Sequence, residues 1–186
     1  MSRNGHDFSN LPETKTFSFN PKLFYYPSDN EIFWLGVNGT FDKREGGDII
    51  AIRDGANGIH QYSEENTSTR ISTQAVYEKE ISDTKAFQIK NSVSYFDREL
   101  TTPDVLFSGR QWDVFTESPY TIQKYKTDWI FCFHLYSKSF KEKDRCPIRN
   151  QNNITFGSLS PSTTDLSDKF ILEQGFRSAL VPNWGA

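Results

Sequence analysis

Clustered cysteine and long apolar runs are missing from this chain, and helix-forming patterns are scarce. No apolar stretch approaches the roughly 18 residues a membrane-spanning helix needs, so a helical span is excluded. The 186 residues include only two cysteines, Cys132 and Cys146, and three histidines, His6, His60 and His134. They form no CxxC or Cys/His cluster, so no metal site is expected. Cys132 lies inside an apolar run and reads as a buried free thiol. The one methionine is Met1. The stretch from Met1 to His6 lacks the apolar region of a secretory signal, which favours a cytoplasmic location. Without such a signal, the sequons at Asn38-Gly39-Thr40, Asn66-Thr67-Ser68 and Asn153-Ile154-Thr155 follow from a composition rich in Asn, Ser and Thr.

Charge of one sign is missing as well. Lys plus Arg is 21 and Asp plus Glu is 24, a net charge of -3 with the signs interspersed. The densest basic stretch, Lys138, Lys141, Lys143, Arg145 and Arg149, is interrupted by Glu142 and Asp144 and reads as a solvated loop. A broad nucleic-acid footprint is therefore not expected. There is no GxSxG, HExxH or GxGxxG, and Arg44-Glu45-Gly46-Gly47-Asp48 is too short and too charged for a phosphate loop. Nothing calls for a cofactor.

Aromatic residues are abundant. Phe, Tyr and Trp make up 15% of a chain that is only 35% hydrophobic, so large rings must carry what core there is. That aromatic content also argues against disorder. Their spacing is mostly two. From Thr69 to Ile81 one set reads Thr, Ile, Thr, Ala, Tyr, Lys, Ile against a polar alternate set. Phe87, Ile89, Val93 and Tyr95 repeat the pattern. Both read as half-buried strands, and Ser82-Asp83-Thr84-Lys85 between them fits a hairpin loop. Ile32–Val37 ends at Asn38-Gly39, a pair that tolerates a type I′ turn and predicts a hairpin into Thr40-Phe41. Ile49–Ile52 and Ile59–Tyr62 flank Asp54-Gly55-Ala56-Asn57-Gly58 and predict another. Shorter strands are expected at Trp112–Phe115 and Ile154–Leu159. The run Trp129–Tyr136 does not alternate, so both faces of that strand ask for cover. Thr164–Glu173 fits a short capped helix, with Lys169–Leu172 equally readable as a strand.

These signals predict an all-β single domain of nine to eleven short strands with little helix. The architecture is a barrel or a two-sheet sandwich, calycin-like or jelly-roll-like. The β domain spans 17–180, between an N-terminal arm (1–16) and a C-terminal arm (181–186).

The candidate ligand-binding residues are Arg110, Trp112, Trp129, Cys132, His134 and Tyr136. Cys132, His134 and Tyr136 alternate along one strand face, and a few polar groups in an apolar wall are what a small-molecule cavity needs. Gly109-Arg110-Gln111-Trp112-Asp113 adds a stacking ring with hydrogen-bonding neighbours, a mix suited to flat or sugar-like ligands. His60, Tyr62 and Glu64 share a face only if their segment is a strand, and with His134 would make a two-His, one-carboxylate set. An exposed hairpin arm is the simpler reading. Direct pairing of Cys132 with His134 is disfavoured, because residues i and i+2 stand roughly 6.5–7 Å apart along a strand. Trp184 near the C-terminus is a candidate anchor for a neighbouring subunit.

Three functions fit. The first is a binding protein with an aromatic-lined pocket for a small apolar or sugar-like ligand. The second is a structural subunit of a larger homo-oligomeric assembly, such as a coat or tail component. The third is a cofactor-free isomerase, cyclase or lyase with His134 or Tyr136 as acid/base.

Overall fold

The computed structural model describes residues 8–9, 11–143 and 149–182. His6, Cys146, Arg145 and Trp184 fall outside them, so the roles read for those residues lie outside the described structure. Nine antiparallel strands form one sheet, β1 (Glu13–Phe19), β2 (Lys22–Ser28), β3 (Glu31–Gly47), β4 (Ser63–Ser82), β5 (Lys85–Thr101), β6 (Leu106–Lys124), β7 (Thr127–Glu142), β8 (Gln151–Ser167) and β9 (Phe170–Leu180). From β3 to β9 each strand pairs with the next in sequence. β1 and β2 both pair with β3, end to end along the same edge. The one helix among the described residues, α1 (Ile49–Asp54), links β3 to β4.

The all-β expectation with little helix holds, and of the two architectures the sandwich-like one fits better, with one antiparallel sheet in place of the expected two among the described residues. The barrel does not: the sheet is not closed. Its two outer edges are chemically unequal. The β1/β2 edge carries Pro21 at the turn, Pro27 within β2 and a register shift between Tyr25 and Ser28. A proline has no N–H to give a ladder, and these features blunt that edge against pairing with β9.

Several local expectations are corrected. Asn38-Gly39 is not a turn but lies inside β3, where Gly39 pairs with Phe19 and Ile71. A Cβ at Gly39 would run into the Phe19 ring, so the glycine serves the close approach of an aromatic across the strands. Ile49–Ile52 is helical rather than a strand, because Asp48 caps it: the carboxylate Oδ1 accepts from Ile50 N at 2.9 Å and Ala51 N at 3.3 Å. Ile59–Tyr62 accordingly forms no hairpin partner and leads irregularly into β4. The strands are also long rather than short, reaching 20 residues in β4. Thr164–Glu173 takes the strand option, turning at Asp168-Lys169 between β8 and β9. The hairpin loop read at Ser82–Lys85 is present. Strand β1 starts at Glu13, within the stretch read as an arm.

Register separates the faces. Directly paired residues share a face, so the row Val37–Thr73–Val93–Val114–Ser137–Ile154 lies on one side. The neighbouring row, Asn38–Ser72–Ser94–Asp113–Lys138–Asn153, lies on the other and contains no apolar side chain. The first side also holds Tyr25–Phe33–Tyr77–Ile89 and Leu35–Ala75 in one half and Leu135–Phe156–Leu180 in the other. We call it the apolar face. Among the described residues nothing packs on it: no large side chain is fully buried, and the only buried hydrophobic residues are Ala51 and Cys132.

Candidate functional site

The six candidate ligand-binding residues divide between the faces. Pairing continues without a shift through β6 and β7, so Arg110 (opposite Lys141), Trp112 (opposite Ser139) and Trp129 (opposite Ile122) lie on the apolar face. Cys132, His134 and Tyr136 face the other way. Trp112 and Trp129 are also ten strand positions apart, roughly 33 Å at the rise of a strand. These residues do not share one wall.

On the polar face the stripe is engaged locally. The His134 ring stands opposite Gly157, where a Cβ would collide with it. Its centroid is 6.3 Å from that of Phe115. Opposite it on β6 is Glu117, whose carboxylate holds Lys90 at 3.0 Å. The Tyr136 hydroxyl donates to Asp113 Oδ1 at 2.8 Å, and Gln111 Nε2 donates to Asp113 Oδ2 at 2.6 Å. Burial and the bond to the Asp113 carboxylate both push the Tyr136 phenol above its ordinary pKa. Cys132 is a buried free thiol, as read from sequence, and burial pushes its pKa up.

On the apolar face Trp112 packs against Tyr95, centroids 4.8 Å apart. The Tyr95 hydroxyl donates to Asp97, which also holds Lys143 Nζ at 2.6 Å. Burial works against ionisation of Asp97, but the Lys143 and Tyr95 bonds hold its pKa below the usual carboxylate range. Trp129 lies in a shallow groove of about 290 Å³. Its walls are Trp129 and Phe176, with Ser160 and Ser162 as the floor and Gln174 donating to Ser162 Oγ at 3.2 Å. Trp129 stacks on Phe131, 6.2 Å apart and nearly parallel.

A second constellation carries little sequence signal. His60 is not on a strand with Tyr62 and Glu64 as one face. Instead its Nδ1 meets Asp48 Oδ2 at 2.6 Å, so one carboxylate both caps α1 and holds the imidazole. The Asp48 N–H donates to Tyr62 O, and Ser9 and Gly47 exchange two bonds. This bracing shapes a cleft of about 330 Å³ floored by Gly46 and Gly47 and walled by the Phe8–Tyr62 stack, with Arg44, Glu64 and Asn66 at its side. The one readable hint was Asp48 as a capping residue ahead of Ile49. The described residues contain no group of three or more His, Cys, Asp or Glu side chains placed to hold a metal ion.

No family model, curated protein or solved structure matches the chain significantly.

Proposed function

We propose that the chain works as a structural subunit of a homo-oligomeric assembly, with other copies covering its apolar sheet face. The observation that carries this reading is the surface it leaves open. The chain exposes 13467 Å². A globular monomer of 21.5 kDa exposes about 9,200 Å² by the usual size scaling. That is an excess of about 4,300 Å², and the exposed surface includes large apolar side chains of one face: Phe133 is 69% exposed and Phe176 67%, with Phe131, Phe156 and Leu180 beside them. Soluble monomers rarely leave apolar patches larger than a few hundred Å². Covering even half of that excess on each of two copies gives an interface of obligate size.

The test is sedimentation velocity at micromolar concentration, with Phe133→Asp as the variant. Phe133 contributes little to the subunit's own packing, so the variant keeps its strand content by circular dichroism. The native chain is expected to sediment as an oligomer and the variant to shift toward the monomer. A monomeric native chain at tens of micromolar overturns the reading.

The groove at Trp129 and Phe176 favours a second reading, a binding surface for a flat or sugar-like ligand, since two rings flank a polar serine floor. The acid/base reading gains less, because the His134 ring is packed over Gly157 and the Tyr136 hydroxyl is tied to Asp113.

A further inference from the structure

We propose that two copies of the chain pair through strand β9, antiparallel, about a two-fold axis at Gly175, so that two nine-stranded sheets become one. The proposal rests on the homo-oligomer reading and names one contact within it.

Strand β9 is an edge in need of management. All 11 residues, FILEQGFRSAL, are exposed, and among the described residues only β8 pairs with it. Natural edges are blunted by proline, bulges, charge or shortness. β9 has no proline, and its only register shift lies at the turn beside Phe170, between Asp165 and Ser167 on β8. The opposite edge has prolines and a bulge within β2. The β2 edge is guarded by proline and a bulge, while β9 carries neither along its length, and its two charges, Glu173 and Arg177, are of opposite sign.

The strand is also complementary to itself. Its span, 170 to 180, is centred on Gly175. Antiparallel self-pairing about that centre sets Glu173 opposite Arg177 twice, once on each side of the axis. It sets Phe170 opposite Leu180, Leu172 opposite Ser178 and Ile171 opposite Ala179, so every residue of the strand has a partner. Opposite charges facing each other across strands attract, whereas like charges repel. Glu173 and Arg177 lie on the polar face, because Arg177 pairs with Leu159 and Leu159 with Cys132. Phe170, Leu172, Phe176 and Leu180 alternate onto the apolar face. A two-fold axis perpendicular to the sheet keeps each face continuous, so pairing doubles the apolar face rather than hiding it. The same operation on β1 sets Lys15 opposite Phe17, and on β2 sets Leu23 opposite Pro27, with no matched charge in either. The contact is isologous and closes after two copies.

The axis supplies its own test. A residue on it faces itself, with Cα atoms about 4.5–5.5 Å apart, which is within the range a disulfide spans. The space at Gly175 admits a side chain, since a Cβ there would meet nothing nearer than Pro161 Cα at 3.7 Å. Gly175→Cys is expected to give a covalent dimer under mild oxidation. Phe170→Cys, whose own copy lies far along the paired strands, is expected to give none beyond the native chain's level. Charge is tested separately. Arg177→Glu and Glu173→Arg each place like charges opposite one another and should weaken association roughly tenfold, while Glu173→Arg combined with Arg177→Glu restores it. If the native chain is oligomeric but Gly175→Cys does not crosslink and the charge variants associate normally, the β9 contact is wrong and the assembly reading stands. If the native chain is monomeric, both fall.

Discussion

His134 stands where a side chain at Gly157 would need to be, and Phe19 does the same to Gly39. Both are cross-strand pairs in which an aromatic ring covers bare backbone. A glycine in a strand costs conformational entropy and offers nothing to pack; a ring laid over it returns contact area to the sheet. The predicted consequence is non-additive. Gly157→Ala forces the imidazole to move and should destabilise the fold by about 1–3 kcal/mol, the usual cost of overpacking. With His134→Ala in the same chain the added methyl has room, and most of that loss should disappear. Urea denaturation of the two single variants and the double variant at one protein concentration gives the cycle. Additive losses would mean that the ring and the glycine are independent. Sequence placed His134 on a strand with Cys132 and Tyr136 and could not say what stood across from it. That partner is supplied by β8, whose register is fixed only when the whole sheet forms.

Elements were legible where alternation ran long. β4 and β5 show a long period of two, and β7 shows its two apolar faces in the run Trp129–Tyr136. Misreading came where a local signal competed with distant pairing. Asn38-Gly39 has the composition of a turn, but β4 pairs with β3 on both sides of it and holds it extended. At Ile49–Ile52 three isoleucines with strand preference join a helix because Asp48 satisfies two of its first N–H groups. That cap carries a pH dependence. Burial opposes ionisation of Asp48, yet the His60 bond and the N–H groups of Ile50 and Ala51 outweigh it and hold the pKa below the ordinary carboxylate value. A carboxylate with a lowered folded pKa contributes stability that is full above its unfolded value, about 3.9. That contribution is lost as pH falls through the folded value, because there the unfolded chain binds more protons. The thermal midpoint of the native chain should therefore drop below about pH 4 more steeply than that of Asp48→Asn, which keeps a capping oxygen without the charge. Identical slopes for the two proteins would remove Asp48 from the account.

At the scale of the whole molecule, sequence supplied the class and missed the layering. A 15% aromatic content in a chain of modest hydrophobicity first implies a small core of large rings. The sheet spreads those rings over one broad face instead, with no second layer among the described residues to meet them. The alternation of a single chain says which residues share a face. It does not say whether the cover comes from the same chain or from another copy, because burial inside a domain and burial at an obligate interface select the same side chains. The two cases differ in how stability responds to concentration. A self-contained domain unfolds at a midpoint independent of protein concentration. A subunit whose apolar face is covered by its neighbours gains stability from association, so its midpoint rises as mass action favours the assembly. Calorimetry across a hundredfold range of concentration should show the midpoint climbing steadily for the native chain. Phe133→Asp, with its contact to the neighbour weakened, should show a lower midpoint with a shallower dependence. A midpoint fixed across that range would mean that the exposed face needs no second copy to be stable in water.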